Sequence, residues 1–256
     1  MHKILTIVSF ALILLTSNAF AYPYQTQQFK STATQVTLVE LFTSEGCNSC
    51  PPAEHWINNL KTKKNLWTEF VPVAFHVDYW DYLGWKDVYA KPEYTQRQRF
   101  YAAENRETVY TPGVRAEGRE WRHWRRADLE RLSEIDRQSI GVLDLNIADD
   151  GTFKATFDLH QGKTLNDLAI KGEPYFLTVA LLGMGISTEV KRGENAGRTL
   201  DHDFIVLNSQ DYEIKKGAWQ GKLPTSKHKA SEYSLAAWVS SNKSLTPIQV
   251  VGGALK

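Results

Sequence analysis

Apolar and polar positions along the chain fall into two textures that meet near residue 139. In the first, Val36 to Phe42 is a β-branched, largely apolar run, as expected of a strand covered on both faces. Trp56, Ile57 and Leu60 then recur at helical spacing within a helix from about Pro52 to Lys63, and Val71 to Phe75 returns as a second buried strand. A helix of crossover length between two such strands predicts a right-handed βαβ unit with a parallel pair. A second helix is expected over Pro92 to Asn105, followed by two short strands within Val114 to Trp121 that turn at Glu117-Gly118. An amphipathic helix over Arg125 to Gln138, with Leu129, Leu132 and Ile135 on one face, closes an order of β-α-β-α-β-β-α. From Ser139 onward, alternating runs (Val142 to Ala148, Phe153 to Leu159, Tyr175 to Leu182, Ser234 to Val239, Ile248 to Val251) are separated by turn residues. These predict a second, all-β, sandwich-like domain over residues 139–256, after an α/β domain over residues 35–138.

Composition narrows the class. A chain of 256 residues with 42% apolar content can bury a substantial core, and a net charge of +1 carries no signature of a nucleic-acid or membrane-surface partner. Met1-His2-Lys3, the apolar run Ile4 to Leu15 and Ala19-Phe20-Ala21 have the three parts of a secretory signal cut after Ala21. The expected location is periplasmic or secreted, without stable membrane insertion once the signal is removed. Tyr22 to Thr34, rich in Gln, Thr and Ser, reads as a poorly ordered lead-in without function.

The candidate chemistry centres on the chain's two cysteines, Cys47 and Cys50. An exported fold held by disulfides would scatter several cysteines, so one close pair points to redox chemistry or metal binding. Pro51 and Pro52 suit a first helical turn, which puts both sulfurs at a helix N-terminus where a thiolate is favoured. Cys47, the outer one, is the expected accessible nucleophile and Cys50 the resolving thiol. Glu45 would oppose the thiolate by charge. After the second strand, His76, Asp78 and Asp81 lie among Tyr79, Trp80, Tyr82 and Trp85, a segment that reads either as a substrate-binding edge or as core aromatics with capping acids. Gly193 to His202 is dense in polar groups (Glu194, Asn195, Arg198, His202) and reads either as a polar turn or as a contact onto the first domain.

The Cys-x-x-Cys after the first strand and the Thr111-Pro112 before the third resemble the thioredoxin fold over roughly residues 35–138. The resemblance implies a cis Pro112 facing the cysteines, Thr111 beside it at the substrate backbone, and Glu40 as a buried acid that takes the proton of Cys50; the alternatives are an ordinary trans turn at Pro112 and an edge-facing glutamate at the strand end. Glu-Leu-Phe-Thr-Ser-Glu-Gly-Cys-Asn-Ser-Cys-Pro-Pro-Ala, Phe-His-Val-Asp-Tyr-Trp-Asp and Arg-Gly-Glu-Asn-Ala-Gly-Arg-Thr-Leu further resemble an exported bacterial family of unknown function, domain of unknown function 1223. The expected function is a thiol-disulfide oxidoreductase without cofactor or metal, acting on a protein or peptide partner. Cys47, Cys50, Pro112 and Glu40 would be its catalytic residues, and Thr111, His76, Asp78 and Trp80 its substrate-binding residues. Two alternatives stay open: a copper or zinc protein using the cysteine pair and His76, and a binding module whose cysteines form a structural disulfide.

Overall fold

The computed structural model describes residues 24–126, 137–159, 175–214, 218–241 and 243–256. The expected signal at residues 1–21 lies outside them, as do residues 127–136 of the helix expected at 125–138.

The first half follows its sequence pattern closely. Strand β1 (Gln27–Lys30) precedes β2 (Thr37–Thr43), α1 (Pro51–Asn58), β3 (Phe70–His76), α2 (Pro92–Asn105), β4 (Gly113–Ala116) and β5 (Arg119–Glu120). Strands β2 and β3 pair in parallel and β4 pairs antiparallel with β2. The β4–β5 turn sits at Glu117 (φ 52°) and Gly118 (φ 74°), the paired left-handed conformation that a two-residue hairpin requires. The lead-in is ordered, contrary to expectation: β1 pairs antiparallel with a later strand and buries Phe29.

The second half supplies β6 (Gly141–Ile147), β7 (Thr152–Leu159), β8 (Tyr175–Met184), β9 (Ile186–Glu189), β10 (Thr199–His202), β11 (Ile205–Glu213), β12 (Trp219–Lys222), β13 (Glu232–Ser241) and β14 (Gln249–Ala254). Its strands overturn the expected architecture. β11 lies between β8 and β3, pairing antiparallel with the former and parallel with the latter, so eight strands run on in the order β14-β13-β8-β11-β3-β2-β4-β5. The chain is therefore not an α/β thioredoxin fold followed by a separate sandwich: one large sheet takes strands from both sides of residue 139. Of the described residues 44% are in strands and 17% in helices, and only two α-helices occur among them. No described helix is long and apolar enough to cross a membrane.

Alternation along the strands decides what covers each face. Leu38 and Phe42 of β2, Val71, Val73 and Phe75 of β3, and Ala236 and Trp238 of β13 point to the side covered by Tyr94 and Tyr101 of α2. Val39, Leu41 and Ala74 point the other way, onto Ala53, Trp56 and Ile57 of α1. On that same second side, Leu177, Val179, Leu235 and Ala237 meet a four-stranded sheet, β1-β6-β7-β12, through Leu143, Phe153, Ala155 and Trp219. A sandwich does form, but against one half of a sheet whose other half carries α1.

Gly141, opening β6, has φ +131°, and a Cβ there would lie 2.2 Å from the Asp158 carbonyl oxygen. Gly141→Ala combines a conformation L-residues avoid with a backbone collision, so we expect a loss of ~2–5 kcal/mol, read as a lowered urea midpoint. A midpoint equal to wild type would show that this edge of the sandwich yields freely.

Candidate functional site

Strand β2 ends at Thr43, and the chain turns through Ser44 to Ser49 into α1, which begins at Pro51 with Cys50 as its N-cap residue. Pro51 and Pro52 fill positions whose amides would have no helical partner, while the Ala53 and Glu54 amides donate to the Cys50 carbonyl (2.9 and 3.1 Å). Cys47 and Cys50 are joined as a disulfide. Both are fully buried, which corrects the expectation of an accessible Cys47; the exposed tip of the turn is Asn48-Ser49.

The loop between β9 and β10 is bonded to this turn. Asn195, itself fully buried, donates from Nδ2 to the carbonyls of Glu45 and Cys47, each at 2.9 Å, and the Asn48 amide donates to Glu194 Oε2 at 3.2 Å. The polar loop read at residues 193–202 is thus a clamp on the cysteine turn. Asn195→Ala removes the side-chain donor of two buried carbonyls, of which that of Cys47 keeps the Cys50 amide at 3.2 Å, so we expect a loss of ~1–3 kcal/mol and a faster dithiothreitol reduction of the disulfide, followed by timed alkylation. An unchanged reduction rate would mean that this loop does not guard the sulfurs.

Beneath the turn lies a buried charged cluster, built by the α1-facing side of the sheet. Thr43 and His76 end β2 and β3 side by side. Thr43 Oγ1 donates to Glu54 Oε1 (2.6 Å), Glu54 Oε2 meets His202 Nδ1, and His76 Nδ1 lies 2.6 Å from Asp87 Oδ2. Glu45 turns its side chain inward, accepting from Trp85 Nε1 at 2.7 Å and lying 3.3 Å from His202 Nε2, while its amide donates to Asp87 Oδ2 at 2.9 Å. The two imidazole rings stand 5.1 Å apart, edge to face. Burial disfavours the imidazolium of His202, but the Glu54 and Glu45 carboxylates outweigh it and push its pKa up to about 10. His76 is raised in the same way, with burial opposing and Asp87 and Glu54 prevailing. Glu54 and Asp87 are held low: burial works against their ionised forms, and His202 for the first and His76 for the second overcome it.

The other expected site residues are placed as follows. The Thr111-Pro112 peptide is cis and Pro112 is buried. Trp80 donates from Nε1 to Thr111 Oγ1 at 2.7 Å, and its Cβ packs against Gly46, leaving only 3.0 Å for a side chain there, so Trp80 ties the proline segment to the cysteine turn. Asp78 accepts from the Thr95 hydroxyl at 2.6 Å and anchors the first turn of α2. Glu40 is buried but on the α2 side of β2, accepting from Arg97 Nε (2.6 Å) and the Tyr101 hydroxyl (2.9 Å). It is a paired carboxylate across the sheet from α1, which corrects its expected role as proton relay to Cys50. His76 does not join the cysteines as a ligand set, since the sulfurs are bonded to each other and its Nδ1 is held by Asp87.

Glu54, Asp87 and Asn195 were not among the expected site residues. Glu54 had a legible signal: it stands three residues before Ile57, on the face of α1 that the periodicity marks as buried.

A family model described as protein of unknown function (DUF1223) matches residues 38–249. The chain belongs to that family. A crystal structure of a protein from Agrobacterium tumefaciens is similar to this DUF1223 chain at 26% identity and TM-score 0.57, over 86% of this chain and 94% of that one. HBP35 of Porphyromonas gingivalis shares the fold at 14% identity and TM-score 0.53, over 88% of this chain and 76% of that one. No curated protein matches. The cysteine turn, His76, the 193–198 loop and His202 all fall inside the segment that defines the DUF1223 match.

Proposed function

We propose that this DUF1223 protein is an exported thiol-disulfide protein whose Cys47–Cys50 pair cycles between dithiol and disulfide against a protein or peptide partner. The observation that carries this reading is the pair itself: the chain's two cysteines, three residues apart, close a disulfide at the first turn of α1. In the reduced form, the Cys47 thiolate attacks one sulfur of a partner disulfide, expelling the other as a thiolate and forming a mixed disulfide. The Cys50 thiolate then displaces the partner's remaining sulfur, which leaves Cys47–Cys50 oxidised and the partner with two thiols. A partner meets the sulfurs when the exposed Asn48-Ser49 tip and the Asn195 clamp part. Export rests on the basic, apolar and small-residue pattern of residues 1–21.

A second reading, a structural disulfide in a binding module, is favoured by the full burial of both sulfurs. Equilibration of the mature protein in thiol-disulfide buffers, quenched by alkylation, separates the two. A working pair is expected between about −270 and −120 mV, whereas a value below about −300 mV would assign the disulfide to structure.

A further inference from the structure

We propose that His76, His202 and Glu54 form a binding site for one divalent transition cation of the zinc class, separate from the cysteine pair. One ligand atom from each of the three side chains lies within 4.8 Å of the others, and all three residues are buried. Ligand atoms about 2.0–2.2 Å from a tetrahedral zinc ion stand roughly 3.3–3.6 Å apart, so side-chain shifts of about 1 Å bring these three groups into coordination range.

The orientation of the imidazoles points to a cation. His76 Nδ1 is engaged by Asp87, which leaves Nε2 as the atom for the interior, and that nitrogen is buried with no hydrogen-bond partner among the described residues. His202 presents Nδ1 to Glu54, the side on which one cation can be shared with that carboxylate, while its Nε2 faces Glu45. Glu45 Oε1 lies 3.3 Å from that nitrogen. Asp87 behind His76 Nδ1 and Glu45 behind His202 Nε2 are the carboxylate outer-sphere partners that metal-bound histidines receive. Three carboxylates (Glu45, Glu54, Asp87) facing two imidazoles also supply the negative charge that a buried divalent ion needs. Two imidazoles and a carboxylate are a zinc donor set, and none of it comes from Cys47 or Cys50.

This inference stands whether or not the cysteine pair cycles, and its test does not read redox activity. The full chain is expressed in medium supplemented with Co²⁺, purified through a mild chelator and examined by metal analysis and visible absorption. The expected result is one Co²⁺ per chain with d–d bands and no thiolate-to-cobalt charge-transfer band, Zn²⁺ displacing it. The Cys47→Ser/Cys50→Ser variant should retain the ion. His76→Ala and His202→Ala should lose it, and Asp87→Asn, which keeps the shape of the pocket, should weaken binding by ~10–100-fold. On the wild-type protein alone, bound metal should raise Tm, and stripping it should lower Tm again. Substoichiometric metal with an unchanged Tm overturns the proposal, as does binding that disappears with the cysteines.

Discussion

Arg97→Met is expected to lower the unfolding free energy by ~3–5 kcal/mol without changing the rate at which the Cys47–Cys50 disulfide is reduced. Arg97 is the cationic partner of Glu40, with Nε at 2.6 Å from Oε1, and Glu40 is fully buried beneath α2. The guanidinium also lies over the rings of Phe75, Tyr101 and Trp238, at 5.5, 5.2 and 5.2 Å from their centroids. Removing it leaves a carboxylate in an apolar enclosure with the Tyr101 hydroxyl as its remaining donor. Replacing both members, as Glu40→Leu with Arg97→Met, removes the stranded charge, so the double variant should recover most of the loss. Urea midpoints of the two single variants and the double variant check this. A double variant no more stable than Arg97→Met would show that the arginine works through its aromatic contacts and not through the ion pair. A slowed reduction of the disulfide in Glu40→Gln would restore the acid to the cysteine chemistry.

The contrast between Glu40 and Glu54 shows what was legible in the sequence and what was not. Both are acids set among apolar residues near the cysteines, and the strand pattern around Glu40 marked it as buried. Pattern alone does not say which face of β2 a given parity serves. Leu41 and Thr43, one and three residues on, face α1 and the cysteine turn, so Glu40 belongs with Leu38 and Phe42 to the α2 side. Glu54 is the acid on the α1 side, where helix phase and not strand parity sets it against Thr43 and His202.

The architecture failed to read at one strand in particular. β11 joins the two halves of the large sheet, yet after Ile205, Val206 and Leu207 it runs Asn-Ser-Gln-Asp-Tyr-Glu, half-exposed or exposed, and it pairs with β3 at a single position, Ile205 with Ala74. A central strand with a largely polar second half looks like a loop. Without it the α/β and all-β segments looked like separate domains. The charged cluster was hidden for a related reason, since His202 and Glu54 are 148 residues apart and meet only when β10 is laid beside α1. What local pattern did carry was β2, β3, α2 and the Glu117-Gly118 turn, each fixed by residues within a single element.

The unfolding free energy of the metal-free protein, measured in chelator, is expected to fall by several kcal/mol between pH 6 and pH 10. The pKa of His202 is raised from 6.5 to about 10 in the folded chain, and each unit is worth about 1.4 kcal/mol of differential stability. A raised folded pKa means that the stabilisation is fully present below about pH 6.5, where both states hold the proton, and is lost as pH rises through the folded value. His76, also raised, acts in the same direction. Glu54 and Asp87 are lowered and act at the other end: their contribution is present above the unfolded carboxylate range and is lost as pH falls through their folded values. Stability should therefore peak between about pH 5 and pH 6.5 and decline on both sides. The informative quantity is the difference between wild type and His202→Gln across the series. That difference should be largest near pH 6 and shrink toward pH 10, while Glu54→Gln should flatten the alkaline slope by removing the carboxylate that Coulombically favours the imidazolium. Urea midpoints at pH 6, 8 and 10 measure it, and a wild-type curve parallel to that of His202→Gln would mean that the buried histidine carries no proton linked to folding.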